Sequence, residues 1–310
     1  MACKPQNDLG IFGTPQEPFF NHKESGVTPE LLGQWLLDLS AINSDRLKGS
    51  TKDCFKSFKH VDLIYKTCDR LKMSAQVKLL AVEIFNRFMT RHIEELYNHV
   101  LTSDSQTKRS DWDKILQRII KQQALRITSC CQIASKLTSH HRIISVNRAR
   151  RFLCELGHNY TAGSILQSEL RILKTLEFKL AVLSPLQYVE TLLEIIGHND
   201  KTTDVKLYHS TAIKLLYLFN LKRTEIYDKL YKTACSAETT QLQNRVCEMV
   251  SDMLLLGTAV ITASAFIMDM STTDTILENL SLITKIVKDE IVDFATVIVE
   301  VVQENKSHTP

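Results

Sequence analysis

Residues 74–95 read SAQVKLLAVEIFNRFMTRHIEE, and this stretch decides the fold class. Its apolar residues recur at intervals of three and four: Val77, Leu80, Ala81, Ile84, Phe85 and Phe88. That spacing places them on one face of an α-helix, because one helical turn takes 3.6 residues. No part of the chain shows the sustained alternation of apolar and polar residues that indicates a half-buried strand. The sequence therefore predicts an all-α protein.

Further helical segments lie on both sides of this stretch. Thr28-Pro29-Glu30 has the residue types of a helix start: a capping hydroxyl, a proline in the first turn and an acidic residue after it. Gly157 is placed to end a helix, and polar loops are expected over 43–56 and 98–111. The predicted helices cover residues 28–39, 74–95, 112–137 with one break, 145–156, 164–176, 185–196, 205–221, 224–237, 242–268 and 275–302.

Ser184-Pro185 separates two groups of these predicted helices. A short internal echo supports two related bundles, because IASKL at 133–137 and TASAF at 262–266 each fall in the middle helix of their half. We therefore expect a flexible N-terminal tail over 1–27, a first bundle over 28–183, a second bundle over 184–304, and a short tail over 305–310.

Composition limits the class of protein. The chain has 310 residues, of which 44% are apolar and 24% charged, a balance typical of globular proteins. The net charge of +3 creates no strong field toward nucleic acid or anionic lipid. The eight cysteines include no C-x-x-C pair, and the first residues lack the apolar segment of a signal peptide, which favours a reducing compartment. The longest apolar run, 253–268, is shorter than the roughly 20 residues that cross a bilayer, so no membrane association is expected.

The chain also lacks the sequence signatures of catalysis. Its nine glycines are scattered and form no phosphate-binding loop or dinucleotide fingerprint. Hydrolase and metalloprotease signatures are missing as well, and no Cys/His cluster has the spacing of zinc ligands. We therefore expect a protein that is not an enzyme and has no cofactor, metal or small-molecule substrate. The residues alone predict a soluble protein of two helical bundles and do not indicate its function.

Four segments, in the same order, resemble the cyclin box. LAVEIFNRFM at 80–89 resembles L-A-V-x-x-x-D-R-F-L, and IASK at 133–136 resembles L-A-S-K. NYTAGSILQSELRILKTLEFKL at 159–180 resembles Y-T-x-x-x-[IV]-L-x-x-E-x-x-x-L-K-x-L-x-F-x-L, and LLGQWL at 31–36 is similar to the opening M-R-A-I-L-V-D-W-L. The second half is similar to a degenerate second box. The resemblance implies two tandem cyclin-box-like five-helix bundles, the second degenerate, with the cyclin box at 28–183.

The resemblance also implies a binding site for a protein partner. In cyclins a lysine and a glutamate hold backbone groups of a kinase near its αC helix, which helps to position the catalytic lysine of that kinase. The matching residues are Lys136 and Glu169. Helical spacing independently places Glu169 in an apolar face, where a carboxylate needs a partner. The alternative interpretation is an internal salt bridge that only stabilises the bundle.

A candidate docking patch for substrates of the kinase consists of Leu31, Leu32 and Trp35. The strongest likeness is to a divergent meiotic branch of the cyclins that is associated with crossover maturation. That likeness implies a regulatory or adaptor protein of the nucleus, with the cytoplasm as a second location. Its partner would be a cyclin-dependent-type kinase or meiotic recombination proteins.

Several departures from the cyclin pattern favour a second hypothesis. Pro29 and Asn86 stand where cyclins have an arginine and an aspartate that form an internal ion pair. Thr138 and Ser139 replace the acidic residues that usually follow L-A-S-K. These changes favour a cyclin-fold scaffold that binds other proteins or DNA without regulating a kinase.

The basic stretch around His140-His141-Arg142, Arg148, Arg150 and Arg151 leads to a first prediction. We expect only weak, sequence-independent DNA binding, because few phosphates could be neutralised and affinity rises steeply with their number. Fluorescence anisotropy with duplexes of unrelated sequence tests this. Tight binding at physiological salt that is lost when Arg148, Arg150 and Arg151 are replaced together would contradict it.

Overall fold

The computed structural model describes residues 27–48, 54–102, 107–138, 142–180, 183–235, 249 and 251–307. Within these ranges it contains thirteen α-helices and no strand, which confirms the all-α prediction. The helices are α1 (Pro29–Lys48), α2 (Phe58–Arg70), α3 (Ala75–Thr102), α4 (Lys108–Lys121), α5 (Gln123–Thr138), α6 (Val146–Glu155), α7 (Ala162–Thr175), α8 (Pro185–Asn199), α9 (Val205–Leu221), α10 (Arg223–Cys235), α11 (Met253–Met268), α12 (Met270–Thr284) and α13 (Lys288–Ser307). The predicted N-terminal tail, except for residue 27, lies outside the described residues, and so do His140 and His141.

Helix α5 forms the centre of the first half. Every residue from Ile127 to Ser135 is buried, and α2, α3, α4, α6 and α7 pack around the helix. Small side chains such as Cys130, Cys131 and Ala134 allow this, because they bring several neighbours close to one helix. The core therefore surrounds α5 over this stretch, and the exposed residues Lys136 and Leu137 lie at its C-terminal end.

Helix α11 has the same place in the second half. Every residue from Met253 to Ala265 is buried, and α8, α9, α12 and α13 surround it. At Gly257 the contact with α8 is so close that an added Cβ would lie 3.2 Å from the Cβ of Tyr188. The internal echo in the sequence thus falls on the two central helices, α5 and α11.

The caps that the sequence predicts are formed. The Thr28 hydroxyl accepts a hydrogen bond from the backbone N–H of Leu31 at 3.4 Å, at the start of α1. Gly157 has a φ of +84°, a left-handed conformation that glycine adopts without strain, and it ends α6. The predicted break in the segment 112–137 is also confirmed, at Gln122 between α4 and α5.

Both polar loops were predicted too long, because helices cover part of each predicted range. Helix α1 continues to Lys48, and α3 continues to Thr102, with α4 starting at Lys108. Buried Val100 anchors the end of α3, and the rings of Tyr97 and Trp112 meet edge to face at 5.2 Å between α3 and α4. These tertiary contacts stabilise helical turns whose polar residues favour a loop by local preference.

Helix α2 has no counterpart among the predicted helices. Its buried residues are spaced for one helical face, but charged residues separate them in sequence. Val61, Ile64, Tyr65 and Cys68 form that face. The pattern could have been found with the same spacing rule that found α3.

The segment predicted as one helix over 275–302 is two helices. Lys285 has a φ of +62° and ends α12, while the Ser281 hydroxyl donates to the carbonyl oxygen of Ile286 at 2.8 Å. Residues 281–288 contain no glycine or proline from which this break could be predicted. Of the helix predicted over 242–268, residues 242–248 and 250 lie outside the described residues; α11 begins at Met253, where the Asp252 carboxylate caps it by accepting from the N–H of Leu255.

Helix α1 connects the two halves. Buried Asn43 accepts a hydrogen bond from the N–H of Met253 at 2.9 Å and donates to Asp252 at 2.9 Å, so it caps α11 from a distant part of the chain. Arg46, about one turn later, lies 3.6 Å from Glu83 on α3. The buried apolar side chains of both halves form one continuous cluster. The division into two domains at 183–184 stays a prediction.

None of the helices in the described ranges is both long enough and apolar enough to cross a lipid bilayer.

We predict that Asn43→Ala lowers the free energy of unfolding by about 1–3 kcal/mol, because buried N–H groups at the start of α11 lose their acceptor. Urea denaturation measures this. Asn98→Ala, at an exposed position on α3, is the matched control and should change stability little. Equal effects of the two substitutions would contradict the proposed cap.

Candidate partner-binding site

Lys136 and Glu169, which the sequence predicts as the site, lie together in the structure. Lys136 is in the last turn of α5, and Glu169 lies on the α7 face that also buries Ile165 and Ile172. The distance between Lys136 Nζ and Glu169 Oε1 is 2.5 Å. The lysine side chain is 43% exposed and the glutamate 8%. The pair therefore ties the end of α5 to the middle of α7 and faces solvent on the lysine side.

An apolar groove surrounds this pair. It lies between α5 and α7 and has a volume of about 400 Å³. Its apolar lining consists of Ile133, Leu137, Leu166, Leu170, Leu173 and Leu180. Leu137, Leu166 and Leu170 are exposed. A continuous exposed apolar surface of this kind is typical of a binding site for another protein.

The ion pair gives the groove two hydrogen-bonding functions. A lysine ammonium has three donors, and a carboxylate has several acceptor positions, so neither group is exhausted by one mutual bond. Together they can donate to a carbonyl oxygen and accept from an N–H of the same partner backbone. The pair thus fits both interpretations from the sequence, because it stabilises the bundle and also lies where a partner could reach it.

The candidate docking patch is divided by the fold. Leu31 and Trp35 are exposed on α1, whereas Leu32 is buried. Helix α1 packs against α8 and α11 of the second half. None of the three residues lines the groove between α5 and α7. The docking patch stays a prediction, with Leu31 and Trp35 available to a partner.

A buried ion pair lies one helical turn from Asn86. Asn86, which stands where cyclins have an aspartate, accepts from the N–H of Phe55 at 3.0 Å. Nearby, Lys56 Nζ lies 2.6 Å from Glu83 Oε1, and both side chains are buried. The sequence analysis missed this pair. The sequence does contain an indication of this pair. Glu83 lies within the apolar run of α3, as Glu169 lies within that of α7, and a carboxylate in such a position needs a partner.

The basic stretch includes one residue with a structural role. Arg148 Nη2 donates to the carbonyl oxygen of Leu71, which links α6 to the end of α2. Arg150 and Arg151 are exposed. Among the residues that the structure describes, no group of His, Cys, Asp and Glu is arranged to hold a metal ion.

Comparison with known proteins identifies the family. The family model of the cyclin N-terminal domain matches residues 57–181. Cyclin N-terminal domain-containing protein 1 of Mus musculus is 31% identical over 275 residues, which cover 87% of this chain and 82% of the mouse protein. The chain belongs to the cyclin family. The Homo sapiens protein of the same name is also 31% identical over 275 residues, with 83% of its length covered.

The extent of the cyclin match bears on the predicted sites. Residues 57–181 include α2 to α7, and with them Lys136, Glu169 and the groove. The cyclin resemblance of the central segments is therefore confirmed. The match begins just before α2, so α1 with its docking patch lies outside it. Its likeness to the opening helix of the cyclin box gains no support from this comparison.

A double-mutant cycle tests how much the Lys136–Glu169 pair stabilises the free protein. We expect a coupling energy of about 0.5–1 kcal/mol, because solvent at the half-exposed lysine weakens the interaction. Lys136→Ala should strand the buried carboxylate, and adding Glu169→Ala should restore part of the loss. Urea denaturation of both single variants and the double variant gives the coupling. Lys174 is exposed on α7, so Lys174→Ala controls for the loss of one positive charge. Strictly additive effects of Lys136→Ala and Glu169→Ala on stability would contradict the prediction.

Proposed function

We propose that this cyclin-family chain is a regulatory or adaptor protein that binds a protein partner in the groove between α5 and α7. The partner is a cyclin-dependent-type kinase. The observation that supports this best is the place of the Lys136–Glu169 pair within an exposed apolar groove. These are the two positions at which the cyclin pattern has its kinase-binding residues.

The physical basis of this binding is the burial of apolar surface with correctly placed polar groups. Leu166 and Leu170 are one turn apart on α7 and present apolar surface on the same side as Leu137 of α5. A partner helix that covers these leucines would gain about 25 cal/mol for each Å² removed from water. The lysine and the glutamate would then satisfy the backbone groups at its end. This combination fits a helix end such as that of αC in a kinase.

In the proposed role the chain acts by binding its partner, and it does not itself catalyse a reaction. Cyclin-fold proteins are generally regulators without enzymatic activity. The groove offers a lysine, a glutamate and apolar side chains, which are suited to holding a partner in one orientation. Any catalysis would belong to the kinase that is bound.

The proposal extends to meiosis. We propose that the complex acts in the nucleus and promotes crossover maturation, with recombination proteins as further partners. The support for this role is the likeness of the chain to the meiotic branch of the cyclins. Imaging of the tagged protein in germ cells tests it. Signal that stays away from chromosomes through meiotic prophase would contradict it.

A second candidate function is a scaffold that binds proteins or DNA without activating a kinase. The observation in its favour is at the end of α5, where Thr138 stands in place of an acidic residue. Its hydroxyl donates to the carbonyl oxygen of Ala134 at 2.9 Å, within its own helix. The groove therefore has less negative charge beside Lys136 than the cyclin pattern provides.

Affinity purification from germ-line extract with quantitative mass spectrometry tests the groove. Leu166→Asp should reduce kinase recovery by about tenfold or more, because a charge would be buried against the partner. Leu207→Asp is the matched control: Leu207 is 49% exposed on α9 and Leu166 is 50% exposed. Lys136→Ala should also reduce recovery, with an unchanged circular dichroism spectrum.

The outcomes separate the two candidates. Loss of a kinase with Leu166→Asp and Lys136→Ala, but not with Leu207→Asp, supports the kinase-binding subunit. An assay of that kinase with the purified chain then shows whether binding activates it. If no kinase depends on the groove, and other proteins are recovered through it, the scaffold is the better description.

A further inference from the structure

A second cavity lies on the other side of α7 from the groove. It has a volume of about 370 Å³ and is bounded by α3, α4, α5 and α7. Its polar lining consists of His92, Arg118, Gln122, Arg126, Gln167 and Arg171. We refer to this cavity as the arginine pocket.

The charge of the arginine pocket is uncompensated. Arg118, Arg126 and Arg171 come from three different helices and line one cavity. No carboxylate is among the described residues that line it, and within the described ranges none of these guanidinium groups forms an ion pair with Asp or Glu. Burial, and then the nearby charge of Arg171, lower the pKa of Arg126. Cations gathered in this way repel one another, and an anion would relieve the repulsion.

Arg126 is held in a fixed position by neutral groups. Its Nη1 donates to the Ser168 hydroxyl at 3.0 Å, and its Nη2 donates to Gln122 Oε1 at 3.1 Å. The guanidinium also lies over the ring of Phe88, with its carbon 5.8 Å from the ring centre. These contacts orient the group and leave its positive charge without a counterion. A fixed and unneutralised guanidinium is suited to bind an oxyanion.

His92 provides an independent indication of a ligand. It is only 8% exposed, its ring stacks on Phe88 at 5.0 Å, and its Nδ1 has no hydrogen-bond partner among the described residues. Burial, with the charges of Arg171 and Arg126, lowers the pKa of His92 to about 4. The imidazole is therefore neutral at physiological pH. An unpartnered polar atom in a buried residue calls for an explanation, and His92 lines the cavity in which a ligand would lie.

We propose that the arginine pocket binds a phosphate monoester on a protein segment, that is, a phosphorylated serine or threonine. Such a group has close to two negative charges and three strong acceptor oxygens, which match the guanidinium groups of three arginines that line one cavity. The apolar lining from Leu96, Ile115 and Ile119 would contact the side chain that bears the phosphate. A single compact cluster of cations suits one discrete anion better than a nucleic-acid backbone, which requires a track of cations.

The neighbouring groove indicates that the phosphate is on a protein. Gln167 lines both the arginine pocket and the groove between α5 and α7. A segment that leaves the groove could therefore enter the pocket across α7. This choice of a protein segment rests on the proposed function of the groove, whereas anion binding by the pocket does not.

Immobilised degenerate peptides with a central phosphoserine test the proposal on the full chain at physiological salt. We expect at least about tenfold greater retention than on the same peptides with serine, since charge-assisted hydrogen bonds distinguish the two. Inorganic phosphate should compete. Arg171→Ala and Arg118→Ala each remove an exposed pocket arginine, so the fold should survive, and each should cost about tenfold in retention. Arg150→Ala, exposed on α6, is the matched control.

The possible results are distinguishable. Equal retention on phosphorylated and unphosphorylated peptides, or equal effects of Arg171→Ala and Arg150→Ala, would overturn the proposal. Stronger competition by a DNA oligonucleotide than by phosphoserine, through the same arginines, would assign the pocket to nucleic acid and also overturn it. The phosphoserine peptides report on the arginine pocket, and kinase recovery with Leu166→Asp reports on the groove, so a failure of the groove and a failure of the arginine pocket would be seen separately.

Discussion

A carboxylate inside a helical core needs a cation beside it, and Glu83 meets this requirement with cations from two other segments. Lys56, which precedes α2, lies 2.6 Å from one of its oxygens, and Arg46 of α1 lies 3.6 Å from the other. Removing one member of such a cluster would leave a buried charge without compensation, a change that typically costs about 3–5 kcal/mol. The cluster therefore fixes α1, α2 and α3 relative to one another. The groove and the arginine pocket are both built on this frame.

Helix α7 shows how the frame produces two different surfaces. One face, with Ile165 and Ile172, is buried in the core. A second face presents Leu166 and Leu170 to the groove, and a third presents Arg171 to the arginine pocket. A helix with three chemically distinct sides can serve two ligands while its core face stays fixed. Because Gln167 borders both surfaces, a partner bound at one could affect binding at the other.

The sequence predicts best those features that depend on local spacing. The α3 stripe, the cap at Thr28 and the helix end at Gly157 each follow from a few adjacent residues. The extension of α1 past Asn43 depends on tertiary contacts and does not follow from local spacing, and the break at Lys285 has no glycine or proline that would predict it. Lys136 and Glu169 could be predicted because each falls in a recognisable segment. The arginine pocket could not, because its residues come from four helices and no single segment shows their convergence.

The cap that Asn43 provides joins atoms very far apart along the chain. Its bond to Asp252 spans 209 residues. During synthesis the N-terminal helix is made first, yet its acceptor and donor groups at the start of α11 are made near the end. Contacts with such large sequence separation carry a high loop-closure entropy and form late in folding. The cap of α11 by Asn43 can therefore form only after most of the chain has been translated, and a chain that stops before α11 leaves the Asn43 amide without these partners.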